Sequence, residues 1–354
     1  MHSSASSYRV GVVGATGAVG STILEVLAER GFPASEVVPF ASVRSAGKRV
    51  AFAGTELECR PLSDESIAGL DIALCSAGGS VSAEWAPRLI EAGAVVVDNT
   101  SFWRMNEGVP LVVAEVNPDA VADHNGLIAN PNCTTMQMVV ALAPIWREAG
   151  IERLVVSTYQ SVSGTGRNAV EELEAQSRAV LDGEPVRSEV YPHQVAFNVL
   201  PQVENFNEGD DYTTEERKVM AETRKILGAG DELAISATCA RVPVVTGHSE
   251  SVNVQTRERL SPEECRELLA AAPGVVVMDD PGQGIYPLPT AVAGRDEVLV
   301  GRIRRDPSHD RCLNLWVVGD NLRKGAATNA VQVAELLHER GLVGVPEGAA
   351  ALAA

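Results

Sequence analysis

The sequence predicts two α/β domains, the first around a parallel sheet and the second, of the α+β kind, around a mixed sheet. Three observations carry this expectation. The chain has 354 residues, and at roughly 100 to 200 residues per domain that length suggests two cores. Its N-terminal third alternates short apolar runs with helical stretches, the pattern of a parallel sheet. Near residue 130 the texture changes, and "LVVSTYQSVSG" and "SESVNVQTRERLS" read as strands of a mixed sheet.

Taken in order, "YRVGVVGATGAVGSTILEVLAERG" gives a strand over Tyr8 to Val13, a glycine-rich turn, and a helix from Ala18 to Arg30. Apolar runs at 37–42, 71–77 and 94–100 end in small or polar residues, with a helical pattern over Ser82 to Ala92. In the second domain, helical stretches fall at 167–182 and 214–227, while the loops around 183–212 are left open. The stretch "NLRKGAATNAVQVAELLHERGL" reads as one long closing helix. The expected division is 1–132 for the first domain, completed by a C-terminal helix over 322–343, then 133–321 for the second, with 344–354 as a loose tail.

Glycines 11, 14, 17 and 20 are spaced GxxGxxGxxG, which departs from the GxGxxG of dinucleotide folds. Their position is more informative than their spacing. They follow the first strand and open a helix, where free N–H groups and the helix dipole favour a pyrophosphate, so the first domain reads as Rossmann-like. After the second strand, "ASVRSAGK" offers Ser42, Arg44, Ser45 and Lys48 and no acidic residue. A guanidinium there suits a ribose 2′-phosphate by bidentate hydrogen bonding, which points to NADP over NAD.

Bulk properties exclude other classes. The formal net charge of −18 repels nucleic-acid backbones and anionic lipid as main partners. The sequence contains no apolar run approaching the roughly 18 residues of a membrane span. The opening "MHSSASS" lacks a basic start and an apolar core, so a cytoplasmic location is expected. Cysteines 59, 75, 133, 239, 265 and 312 are therefore expected as reduced thiols, and with no CxxC or HExxH no metal is expected.

One cysteine stands apart. In "IANPNCTTMQMVVAL", Cys133 follows Asn-Pro-Asn and precedes an apolar helical run, which places it at a helix N-terminus. There the dipole lowers a thiol pKa and backbone N–H groups can hold an oxyanion, whereas the other five read as small buried hydrophobes. A thiolate nucleophile needs an acid/base partner, for which His248 in "ARVPVVTGHSESVNVQ" is the most useful of the six histidines. Spacing leaves both residues open, because periodicity cannot bring them together.

The segments "GATGAVG", "SAGGSVS", "SFWRM", "NPNCTT", "YQSVSGTG", "AFNVLPQ", "RVPVVTGHSE" and "DNLRKGAA" occur together and in order. The chain thereby resembles the aspartate-semialdehyde dehydrogenases over nearly its whole length. The resemblance implies a homodimer of an N-terminal Rossmann-like NADP-binding domain and a catalytic and dimerisation domain. It also implies formation of L-aspartate 4-semialdehyde from 4-phospho-L-aspartate with NADPH and release of phosphate. By motif position, Cys133 is implied as nucleophile, His248 as acid/base and Gln160 as the residue that orients the substrate beside Asn132. Arg241 is implied for the α-carboxylate, Glu215 for the ammonium, and Arg104 and Lys218 for the phosphate. For the cofactor the implied residues are Gly14, Thr16, Gly17, Ala18, Val19, Arg44, Ser45, Ser163, Gly164 and Asn321. Two rivals are an N-acetyl-glutamyl-phosphate reductase, whose cysteine segment typically reads NPGCYPT, and an inactive NADP-binding relative. The first would lack an ammonium for Glu215 to meet, and the second would be expected to lose Cys133 or His248.

Overall fold

Strand β1 (Tyr8–Val13) lies inside a five-stranded, wholly parallel sheet in the computed structural model, which describes residues 7–346. The sheet runs in the order β2 (Ala34–Phe40), β1, β5 (Ile72–Cys75), β6 (Val95–Asp98), β7 (Leu127–Ala129). A parallel sheet is covered on both faces, so its strands read as continuous apolar runs. Accordingly β5 and β6 are buried at every position. Between β2 and β5 stand a hairpin, β3 (Arg49–Phe52) with β4 (Thr55–Glu58), and the short helix α2 (Asp64–Ile67). The hairpin was not legible in the sequence because its turn is Ala53-Gly54, with φ of +48° and +77°, where Asn or Asp before the glycine is the usual signal.

Two elements shift their bounds. Strand β2 begins at Ala34 and not at 37, since Ala34 and Glu36 pair with β1 although this end of the strand is half-buried or exposed, and it ends at Phe40 so that Ser42 can open the turn Val43–Ser45. Helix α3 (Gly79–Glu91) starts three residues before Ser82. Helix α1 (Ala18–Glu29) has Arg30 as its C-cap, and its Ile23, Leu24, Val26 and Leu27 enter the core.

Gly20 sits where α1 crosses the glycine turn: a Cβ there would lie 2.1 Å from the Gly14 carbonyl oxygen. Backbone cannot yield as a side-chain tip can. Gly20→Ala is therefore expected to destabilise the first unit by about 1–3 kcal/mol, the range for overpacking. Calorimetry should show a lowered Tm, and an unchanged Tm would mean that the turn tolerates a methyl group.

The described chain divides into two compact units, residues up to 131 with those from 326 onward, and residues 132–325. Asn132 falls in the second unit, not the first, because its side chain caps the helix that follows. The single closing helix expected over 322–343 is also corrected. Arg323–Ala327 form a π turn, with the Gly325 N–H donating to the Asp320 carbonyl at 2.9 Å, and the α-helix spans only Thr328–Glu339. Gly341, at φ +66°, follows its end. Of the expected tail, 347–354 lie outside the described residues.

The second unit is a six-stranded mixed sheet, and helix α4 (Cys133–Ala149) crosses one face of it. Chain order continues with β8 (Ile151–Gln160), α5 (Arg167–Asp182), α6 (Thr214–Leu227), β9 (Ala234–Arg241) and β10 (His248–Thr256). It ends with α7 (Pro262–Ala270), β11 (Val275–Val277), α8 (Pro289–Val292), β12 (Val298–Arg305) and β13 (Cys312–Gly319). The strand order is β11-β12-β13-β10-β8-β9. Helices α5 and α6 fall where the sequence places them because their ends are marked. Glycines 183 and 228 adopt the left-handed C-cap, and Thr213 with Glu216 forms a capping box.

Register builds one functional edge. Parallel pairing sets Gln160, the last residue of β8, opposite Arg241, the last of β9. Strand β10 runs antiparallel to β8, so its first residue, His248, emerges at that same edge, opposite Gly319 of β13.

Candidate active site

Helix α4 begins at Cys133 because Asn132 caps it, with the side-chain Oδ1 accepting from the amides of Thr134 (2.9 Å) and Thr135 (3.1 Å). The cap exposes Cys133 in part, whereas the other five cysteines are buried. Burial raises the pKa of each of those five and leaves them inert. Three backbone amides at this helix start are not free to hold an oxyanion. The amides of Thr134 and Thr135 bond to Asn132, and the Asn132 amide donates to Glu222 at 2.7 Å, so these N–H groups do not form an oxyanion hole.

Cys133 Sγ lies 3.3 Å from Nε2 of His248 across 115 residues of sequence. The other ring nitrogen, Nδ1, accepts the Ser161 backbone N–H at 3.0 Å. A backbone amide can only donate, so Nδ1 carries no proton and the neutral ring is protonated at Nε2, facing the sulfur. Burial first, and the nearby Arg241 second, hold the imidazole pKa well below its ordinary value. The ring is thus a neutral Nε2–H donor, and sulfur is the acceptor in this pair, which suits a thiolate. Ser161 was not singled out by the sequence reading; its place directly after Gln160 was the available signal.

A cavity of about 620 Å³ opens over the sulfur, with Gln160, Glu215 and Arg241 in its wall. Glu215 is 2% exposed and accepts from Asn132 Nδ2 at 3.0 Å and Gln160 Nε2 at 3.0 Å. Lys218, one helical turn on, stands 3.7 Å from its Oε2. Arg241 is 5% exposed and gives one Nη1 bond to the Ser161 carbonyl at 2.7 Å, while its Nε has no hydrogen-bond partner. Among the described residues no carboxylate pairs with it. A buried guanidinium without a counter-ion is costly, and a carboxylate entering the cavity would relieve that cost. Gly164 keeps this space open, since a Cβ there would lie 3.2 Å from His248 Nε2 and 3.3 Å from Arg241 Nη1.

The remaining residues sort by unit. Ser163 and Asn321 belong to the second unit, where Asn321 donates to Ser163 Oγ at 3.0 Å and accepts from the Gly247 amide at 2.9 Å. Arg104 belongs to the first unit, held by the carbonyls of Asn130 (2.9 Å) and Asn99 (2.8 Å). So does the glycine turn. Gly14, at φ +88°, and Ala15 both donate to the Phe40 carbonyl, and Gly17 caps α1 without a side-chain bond. No acidic residue occupies the first turn of α1, whose Thr16-to-Val19 entry is partly exposed. This cradle lies where the strand order reverses beside β1 and fits a pyrophosphate. Arg44 and Ser45 follow β2 at the same end of the sheet; Arg44 is exposed and has no partner among the described residues.

Comparison with known proteins gives the kinship. Residues 9–124 match the family model described as semialdehyde dehydrogenase, NAD binding domain, and residues 142–324 match semialdehyde dehydrogenase, dimerisation domain. The aspartate-semialdehyde dehydrogenase of Aquifex aeolicus is 55% identical over 95% of this chain and 99% of its own length. That of Bacillus subtilis is 48% identical over 94% and 98%. The crystal structure of aspartate semialdehyde dehydrogenase II from Vibrio cholerae complexed with ASA superposes with a TM-score of 0.91 at 46% identity, covering 94% of this chain and 99% of that one. No described helix is long and apolar enough to cross a membrane.

Proposed function

This chain belongs to the aspartate-semialdehyde dehydrogenases, and we propose that it converts 4-phospho-L-aspartate to L-aspartate 4-semialdehyde with NADPH, through a thioester on Cys133. Such a reaction feeds lysine, threonine, methionine and diaminopimelate biosynthesis in the cytoplasm. The observation that carries the reading is the contact between Cys133 Sγ and His248 Nε2, 3.3 Å apart on a cavity also walled by the unpaired Arg241.

Arg241 takes the substrate α-carboxylate in a planar fork, and Glu215 takes the ammonium. Gln160 and Asn132, both bonded to Glu215, orient the acyl group over the sulfur. The Cys133 thiolate attacks the acyl carbon, the C–O bond to phosphate breaks, and phosphate leaves with that electron pair. A thioester results, more electrophilic than a carboxylate. The chemistry a bound NADPH supplies is hydride donation to the thioester carbon. Nε2–H of His248 stands ready to donate a hydrogen bond to the oxyanion, and to the sulfur that leaves as thiolate with the electron pair of the C–S bond. The direct test is a phosphorolytic assay with the semialdehyde, phosphate and NADP, read by NADPH absorbance. No absorbance from folded protein would end the proposal.

Arg104 and Lys218 are assigned to phosphate. Arg104→Ala and Lys218→Ala are each expected to raise KM for phosphate more than KM for the semialdehyde. A rise confined to the semialdehyde would mean that the two anion sites are exchanged.

For the cofactor, Gly14, Thr16, Gly17, Ala18 and Val19 hold the pyrophosphate, and Arg44 with Ser45 holds the 2′-phosphate. A charge-assisted bidentate contact is worth about 1.5–3 kcal/mol, or about 10- to 150-fold, with the lower half expected at an exposed rim. Arg44→Ala should lose most of the preference for NADP over NAD by weakening NADP alone. Catalytic efficiencies with both cofactors at fixed ionic strength measure it, and an unchanged ratio would remove Arg44 from this role.

A homodimer completes the proposal. The dimerisation-domain match covers the second unit, whose sheet keeps a half-exposed face bearing the Tyr159 and Trp316 rings, 5.4 Å apart. A second copy would cover this face.

A further inference from the structure

Glu250 follows His248 by two residues on β10, so both side chains leave the same face of the sheet, the face that α4 crosses. It is 0% exposed, and neither oxygen of its carboxyl group has a hydrogen-bond partner among the described residues. Across the sheet it faces Thr158 of β8 and Val317 of β13. The ionisable groups nearest this face, Cys239 of β9 with Glu215 and Glu216 of α6, bring no positive charge. Burial pushes the Glu250 pKa well above the ordinary carboxylate range, against a smaller opposing pull from its neighbour Gln137 on α4. An ionised carboxylate left unpaired in such a place is costly, and a buried acid escapes the cost by keeping its proton.

Gln137 has the complementary need. Its Nε2 donates to the His248 carbonyl at 3.1 Å, and a carbonyl can only accept, so the amide cannot be turned round. Its Oε1 is thereby left buried and without a donor. Gly319, opposite His248 on β13, gives the amide its room, since a Cβ there would lie 2.6 Å from Gln137 Oε1. Neither Glu250 oxygen nor Gln137 Oε1 has a donor, and a proton on Glu250 supplies one.

We infer that Glu250 is a positioning residue for His248: it stands as a neutral acid whose O–H donates to Gln137 Oε1, and Gln137 anchors the His248 main chain and with it the aim of Nε2 at Cys133. The inference rests on the part given to His248 in the proposed reaction. Glu250 does not line the cavity over the sulfur, and its proton stays on it throughout.

The test compares Glu250→Gln, which is neutral and still offers a donor to Gln137, with Glu250→Met, which matches the length and offers none. In the phosphorolytic assay Glu250→Gln should keep kcat near the wild-type value. Glu250→Met should lower kcat about tenfold, less than the roughly 10²-fold of a 1 Å misplacement, and leave KM for the semialdehyde and for phosphate unchanged. In a His248→Asn background Glu250→Met should cause no further fall, whereas a merely structural role would repeat its factor there. At about pH 8, well above the ordinary glutamate pKa of about 4.3, the wild-type infrared spectrum should carry the C=O band of a protonated acid that Glu250→Gln removes. Absence of that band overturns the inference, as does a Glu250→Gln enzyme as slow as Glu250→Met, a Glu250→Met enzyme with wild-type kcat, or a fall that persists without His248. Where Glu250→Met does not fold, Gln137→Met takes its place with the same expected loss, and wild-type kcat there is equally fatal. A His248→Asn enzyme with wild-type kcat is a different failure, that of the role given to His248.

Discussion

Replacing Cys133 with alanine is expected to abolish turnover while leaving the fold and NADP binding nearly unchanged. Loss of a covalent nucleophile costs at least about 10⁴-fold in kcat, and neighbours that act as a unit with it cannot compensate. Stability should barely move. Cys133 is the first residue of α4, partly exposed, and the cap belongs to Asn132; alanine is a good helix former, so the change should stay within about 1 kcal/mol. Cys133→Ser tests the chemistry more sharply. It nearly keeps size and position beside His248, but a hydroxyl offers no ready equivalent of the thiolate, so only a trace of activity should remain. The measurements are kcat in the phosphorolytic assay, Tm, and NADP affinity by titration. A Cys133→Ala enzyme with even a tenth of wild-type turnover would remove the thioester from the mechanism.

Local signals carried much of this structure, and long-range contacts carried the rest. Asn132 and the apolar run after it mark the start of α4, and the capping box at Thr213 marks α6. The texture near residue 130 marks a second sheet, although its six-stranded order depends on pairings between segments far apart in sequence. The hairpin at Ala53-Gly54 and the π turn at Arg323–Ala327 were not legible. The first lacks turn chemistry, and the second turns on tertiary packing, since a Cβ on Gly325 would lie 2.8 Å from Cys133 Cβ.

The site divides along the same line. The helix-start position of Cys133 was readable, but its contact with His248 requires the β8–β10 and β10–β13 registers. The amides of Thr134 and Thr135 are withdrawn from any oxyanion hole for a local reason. The residue that makes a good N-cap also takes up the amides it caps, and Asn132 cannot do the first without the second. Kinship supplied the charged residues as a set. Only the structure distinguishes the buried, unpaired Arg241 from Lys218, which is already paired.

His248→Asn carries the second large effect. A preorganised donor aimed at the developing oxyanion contributes about 10² to 10³ in rate, and asparagine lacks the reach of an imidazole, so kcat should fall by that range with cofactor affinity unchanged. The pH dependence makes the prediction specific. In the folded chain the imidazole pKa is held well below its ordinary value by burial and by Arg241, and the Ser161 N–H at 3.0 Å from Nδ1 leaves no acceptor for a second ring proton. In the unfolded chain a histidine titrates near its reference pKa of about 6.5. As the pH falls through that value, the unfolded chain takes up a proton that the folded chain refuses, so this group lowers stability on acidification down to the depressed folded pKa. Above about 6.5 both states are neutral and the contribution vanishes. Activity should follow the folded value, with no loss near 6.5 attributable to this histidine, because the donor Nε2–H is present throughout. Measured between about pH 5 and 8, where histidine ordinarily titrates, His248→Asn should show a shallower decline of Tm toward acid than the wild type. A wild-type kcat that drops with an apparent pKa near 6.5 and loses that limb in His248→Asn would mean that the ring becomes charged in the working enzyme. The Ser161 amide would then not fix its tautomer.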